Sequence, residues 1–154
     1  MLKYSDTLVS FQEVPDEITL CISITNCCNT CEGCHSPWLR EDSGTPLTYN
    51  ELTSLIKKNK GISCVCFMGG DREPWEIVHL ATLVKKDFPN LKTAWYSGNS
   101  DSKYKYSFDY VKLGPYIKEL GPITEKTTNQ RMYMMLPDIE DRKHVLDITY
   151  KFWK

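Results

Sequence analysis

The sequence predicts an α/β fold, a mostly parallel sheet entered through an N-terminal hairpin, and three observations predict it. Residues 7–13 and 18–25 alternate apolar and polar side chains around the turn-prone Val14-Pro15-Asp16-Glu17. Two short apolar runs, residues 62–68 and 91–96, are separated by a stretch of helical periodicity. Both runs end on turn-forming residues, Gly69-Gly70 and Ser97-Gly98, so that strand, turn and helix follow one another as in an α/β unit.

The remaining elements follow in order. The second strand runs directly into a cluster of cysteines, and residues 26–47 hold prolines, glycines and small polar groups without any period. They read as a long loop, and long loops in compact domains usually carry function. Thr48 reads as the N-cap of a helix with Leu52, Leu55 and Ile56 on one face, Glu51 completing a capping box and Gly61 closing the element. Pro74 opens a second helix reaching about Lys86, with Ile77, Leu80, Ala81 and Val84 turned inward. Residues 108–113 and 131–136 are further predicted strands, and 99–107, nearly all polar or Tyr, a loop. In residues 140–153 the spacing of Val145, Leu146, Ile148 and Phe152 predicts a C-terminal amphipathic helix, which with the second helix would also carry His144 and His79 on solvent faces.

The 154 residues, 41% of them hydrophobic, suffice for one core, and no repeat, linker or low-complexity stretch divides residues 1–154, so a single domain is expected. A closed eight-stranded α/β barrel, which typically needs about 250 residues, is out of reach. Nineteen Lys and Arg against twenty Asp and Glu leave a formal charge of −1, which excludes an electrostatic case for a nucleic-acid partner. Residues 1–20 lack the basic start and apolar stretch of a signal peptide, and no apolar run reaches the roughly eighteen residues of a membrane span; a cytoplasmic protein with no membrane partner is expected.

Seven cysteines, at 21, 27, 28, 31, 34, 64 and 66, are an odd number crowded into one region, which speaks against a disulfide framework and for metal or redox chemistry. Cys27-x-x-x-Cys31-x-x-Cys34 is short enough to bring three soft thiolates onto one inorganic core. Iron–sulfur centres usually take four such ligands. Three would leave one iron open to chelate a substrate. Cys28-x-x-Cys31-x-x-Cys34 is an equally legal spacing. The bland alternative is a structural zinc site, but zinc wants four ligands in tetrahedral array, and His35 and Cys28 each adjoin another ligand. Cys64 and Cys66, two apart on a predicted strand, face one side and, with Cys21, read as core. Sheets of this class bind ligands beyond the carboxyl ends of their strands. The cysteine loop, Gly69-Gly70-Asp71 and Tyr96-Ser97-Gly98 are therefore expected at one rim.

The 3-then-2 cysteine spacing resembles the radical S-adenosylmethionine superfamily, and Cys31-Glu32-Gly33-Cys34-His35-Ser36-Pro37-Trp38 is similar to the glycyl-radical-enzyme activases. Phe11-Gln12-Glu13-Val14-Pro15, Met68-Gly69-Gly70-Asp71 and Thr128-Asn129-Gln130-Arg131 resemble, in order and spacing, the activating proteins of anaerobic ribonucleotide reductase. The likeness spans roughly residues 8–135. It implies a partial, open α/β barrel, a 4Fe-4S cluster on Cys27, Cys31 and Cys34, and S-adenosylmethionine as second cofactor. It selects Cys27 over Cys28. It also implies that the methionyl amino group is received at Gly69, Gly70 and Asp71, with Glu73 the alternative acid because Arg72-Glu73 intervene before Pro74. Gly33, Cys34 and His35 would lie near the adenine, and Ser97 and Asn129 near ribose or carboxylate. The implied partners are the large subunit of a glycyl radical enzyme, most similar to anaerobic ribonucleotide reductase or else pyruvate formate-lyase, and a flavodoxin- or ferredoxin-type electron donor.

Overall fold

The protein's structure, a computed structural model describing residues 1–28, 37–139 and 142–153, opens on the N-terminal hairpin: β1 (Lys3–Ser10) pairs antiparallel with β2 (Thr19–Ile24). β1 begins four residues before its alternation does, because its register slips between Tyr4 and Thr7 and the bulge breaks the pattern. A two-residue strand, β3 (Thr45–Pro46), flanks it.

Helix α1 (Tyr49–Lys58) starts at the Thr48 cap, whose Oγ1 accepts the Glu51 N–H at 3.1 Å. The Glu51 carboxylate accepts from the Tyr4 hydroxyl at 2.5 Å, so half of the capping box is spent on tying helix to sheet. β4 (Cys64–Met68) leads through the two glycines to α2 (Pro74–Asp87), which buries Ile77, Leu80, Ala81 and Val84 as the periodicity requires. β5 (Lys92–Tyr96) and β6 (Tyr110–Leu113) continue the alternation, and a single 3-10 turn interrupts the polar link between them.

The chain ends differently from its sequence pattern. β7 (Arg131–Ile139) pairs antiparallel with β6, and β8 (Arg142–Asp147) pairs antiparallel with β7, followed by a 3-10 turn over Thr149–Phe152. The expected C-terminal helix is therefore a strand and a turn: Ile148 is buried, but Val145 and Leu146 are exposed and His144 lies on the strand. Strand pairing with β7 overrode the helical spacing.

The result is an α/β protein with one open, eight-stranded sheet in the order β3-β1-β2-β4-β5-β6-β7-β8. It is mixed rather than mostly parallel. β2, β4, β5 and β6 run parallel, and the pairs β1–β2, β1–β3, β6–β7 and β7–β8 antiparallel. The physical reason is the connections: a parallel crossover needs a long link, normally a helix, and the link from β6 to β7 contains none.

Alternation gives the sheet two buried faces. Leu20, Ile22, Ile24, Val65, Phe67, Trp95 and Val111 pack with α1 and α2 on one. Cys21, Cys64, Cys66, Ala94, Tyr96, Tyr110 and Met132 form the other, covered by Val14, Ile123 and Ile148 from the connecting segments. Cys21, Cys64 and Cys66 are thus core residues. No helix among the described residues is long and apolar enough to cross a membrane.

Candidate functional site

Four parallel strands in register put their carboxyl ends along one edge. Ser23, Met68, Tyr96 and Lys112 form one row across β2, β4, β5 and β6, extended by Met132 on β7. The next residues along each strand build the rim, as the strand–turn pattern requires.

After β2 come Asn26 and half-buried Cys27. The Cys27 N–H donates to the Leu39 carbonyl at 2.8 Å and the Asn26 N–H to that of Glu41 at 2.9 Å, which clamps the root of the cysteine loop against residues 38–41. Cys28 is exposed. Cys31, Gly33, Cys34 and His35 lie outside the described residues. Among the described residues no group of three or more His, Cys, Asp or Glu is arranged to hold a metal ion.

After β4 the backbone must pass close to its neighbours. Gly69 has φ +112°, and a Cβ there would stand 3.2 Å from the Ile24 carbonyl oxygen. Its own carbonyl accepts the Trp95 indole N–H at 2.8 Å. Gly70 has φ +94°, and a Cβ would come within 2.6 Å of the Ile77 side chain. Gly70→Ala is expected to lower stability by about 2 kcal/mol, the sum of a left-handed backbone and a crowded contact, measurable as a reduced urea midpoint at constant slope.

Asp71 and Arg72 then reach in opposite directions. Asp71 Oδ1 accepts from Ser97 Oγ at 2.5 Å and Oδ2 from the Gly98 N–H at 2.8 Å, while Arg72 Nε donates to the Asn26 carbonyl at 3.1 Å. Two adjacent residues therefore stitch the β4 loop to the β5 loop on one side and to the root of the cysteine loop on the other. Glu73, the alternative acid, is occupied elsewhere: its carboxylate meets the Met1 amino group at 3.0 Å.

Ser97 is buried, and its Oγ also accepts the Asn99 N–H at 3.1 Å. Asn129 precedes β7, which runs antiparallel to β6, so it falls at the same edge. Its Nδ2 donates to the Pro115 carbonyl at 3.0 Å, and Gln130 Nε2 donates to that of Gly114 at 3.2 Å. Among the described residues the buried Asn129 Oδ1 has no donor, which suits a ligand hydroxyl or ammonium. Arg131 instead ties β7 to β8 through Asp147 at 2.8 Å.

The structure thus gathers Cys27, Gly69, Gly70, Asp71, Ser97 and Asn129 at one rim. It adds Lys112, for which the sequence carries no signal, because only strand register puts it beside the others. The Lys112 ammonium stands 4.3 Å from the centre of the Tyr96 ring, and burial holds its pKa below the usual value against the opposing pull of the Glu13 carboxylate. An anionic ligand group there would restore the solvation that burial removes.

The other thiols differ in kind. Burial pushes Cys21 up to about 12, and Cys64 and Cys66 well above the ordinary range, so all three stay protonated at neutral pH. They are poor metal ligands. Chemically, the rim offers a thiol, close backbone approach at two glycines, an unpaired acceptor and a desolvated cation. That set fits a small zwitterion with a polar extension. No protein-family model, curated protein or solved structure matches the chain.

Proposed function

We propose that the protein is a radical S-adenosylmethionine enzyme, an activase that installs a glycyl radical on the large subunit of an anaerobic ribonucleotide reductase. In this reading the open sheet is a partial barrel whose gap admits a loop of the partner, and the enzyme works in the cytoplasm with a flavodoxin- or ferredoxin-type donor. The observation that carries it is the stitch of Asp71 and Arg72, which joins the root of the cysteine loop to the turns after β4 and β5.

Cys27, Cys31 and Cys34 would hold a 4Fe-4S cluster, a donor set of soft thiolates one short of the usual four. Such a cluster would supply the one electron that reductive cleavage of bound S-adenosylmethionine needs, the chemistry that removes a hydrogen from a glycine Cα. The chain's own residues bind and orient. Gly69 and Gly70 let backbone carbonyls approach the methionyl amino group, Asn129 Oδ1 accepts from a ligand hydroxyl or ammonium, and Lys112 faces the carboxylate. Asp71 and Ser97 hold the two turns at fixed spacing, and the buried face beneath keeps water from the reacting carbon.

The test is anaerobic reconstitution with iron and sulfide, followed by dithionite, S-adenosylmethionine and the candidate reductase. The expected result is 5′-deoxyadenosine by chromatography and a carbon-centred doublet by electron paramagnetic resonance. No nucleoside above a Cys31→Ala control would end the enzymatic reading, and a colourless, air-stable protein containing zinc would replace it with a structural metal site.

A further inference from the structure

The face of the sheet away from the helices is closed by an arm of chain. Residues 11–17 lead from β1 toward β2 as an arm that contains one hydrogen-bonded turn, Val14 to Glu17, and Val14 is fully buried in the cluster of Cys21, Cys66, Tyr96 and Met132. The backbone of this strap is not part of the sheet. Its amide bonds are local, from Gln12 to Ser10 Oγ and from Glu17 to the Val14 carbonyl.

Side chains from three separate elements hold it down instead. The Tyr96 hydroxyl donates to the Glu13 carbonyl oxygen, with Glu13 Oε2 3.1 Å away. The Tyr110 hydroxyl reaches Glu17 Oε2 at 3.4 Å, and Lys151 pairs with Asp16, whose φ of +67° bends the arm toward it. Beside the strap lies a groove of about 650 Å³, walled by Phe11, Pro15 and Asp16 of the strap and by Thr124, Lys151 and Phe152. The strap therefore has few bonds to break and room to move into.

We propose that residues 11–17 are a latched gate, shut by the Tyr96 hydroxyl on Glu13, whose release opens the inner face at the row of Met68, Tyr96 and Lys112. That the gate admits a substrate rests on the function proposed above; the latch itself does not. The position of the latch explains its use. Tyr96 ends β5 one residue before Ser97, so anything that shifts the rim shifts the hydroxyl that holds the strap.

The test uses the full chain and needs neither cluster nor cofactor, so failure of the latch and failure of the functional reading are told apart. Tyr96→Phe keeps the ring and removes the hydroxyl. Alkylation of Cys21 and Cys66 by iodoacetamide, followed for each cysteine by mass spectrometry, is expected to quicken by about tenfold or more, together with hydrogen exchange at residues 13–17. Amides of α1 and β6 should keep wild-type protection. Unchanged rates under the strap overturn the proposal, and so does protection lost equally in α1, which would mean general loosening. Lys151→Ala provides a variant outside the core. Exchange at 13–17 alone rising about two- to threefold supports the latch, and no change there counts against it.

Discussion

Cys27→Ser is expected to leave anaerobically reconstituted protein with less than about a tenth of the wild-type iron and no detectable 5′-deoxyadenosine, while Cys28→Ser retains both. The two side chains are adjacent and chemically identical, and both satisfy a three-cysteine spacing with Cys31 and Cys34. Their surroundings separate them. Cys27 is half-buried and its backbone is pinned to Leu39, while Asn26 beside it is held both by Glu41 and by Arg72 from the β4 loop. Cys28 is exposed. A ligand fixed at its root loses less freedom on binding metal than one on an exposed surface, so for the proposed cluster the cost of ordering would favour Cys27. Serine is a hard and weakly acidic replacement, unable to serve as a thiolate. Iron analysis and absorbance of the two variants check the assignment: iron lost with Cys28 and kept with Cys27 reverses it, and iron kept in both moves the ligand set elsewhere.

Much of the fold is legible in the chain because it is written locally. The Thr48 cap, the inward face of α2, the alternation in β2 and the apolar run of β4 each depend on residues a few positions apart, and each stands where the pattern puts it. The C-terminal segment is not local in this sense. Val145, Ile148 and Phe152 have helical spacing, but the partner that decides their conformation is β7, and Met134 opposite Leu146 is a contact only the register defines. The site divides the same way. Cysteine spacing and glycine turns mark the loops, whereas Lys112 and the Tyr96–Glu13 contact depend on a row that crosses four strands and on a strap folded back 83 residues earlier in sequence. Asp71 is intermediate: its position is visible in the sequence, but its engagement with Ser97 and Gly98 is a property of the folded rim.

That engagement makes a second prediction of large effect. Asp71→Ala is expected to lower stability by about 2–4 kcal/mol, because two hydrogen bonds to a carboxylate are lost and the Gly98 N–H is left without its acceptor. Binding of S-adenosylmethionine to the reconstituted protein should weaken by about tenfold or more, since the turns after β4 and β5 no longer hold a fixed spacing and the ligand must restore it. The decisive comparison is with Ser97→Ala. If Asp71 acts through Ser97, the single variants fail in the same way and the double variant costs less than their sum, with a coupling of about 1–2 kcal/mol in chemical denaturation. If the carboxylate instead touches the methionyl ammonium directly, Ser97→Ala binds normally while Asp71→Ala does not, although their shared hydrogen bond still couples them in stability. Calorimetry with S-adenosylmethionine and with 5′-methylthioadenosine sharpens the distinction, because the second ligand lacks the amino acid. A lost direct contact weakens only the first, whereas a lost spacing between turns weakens both.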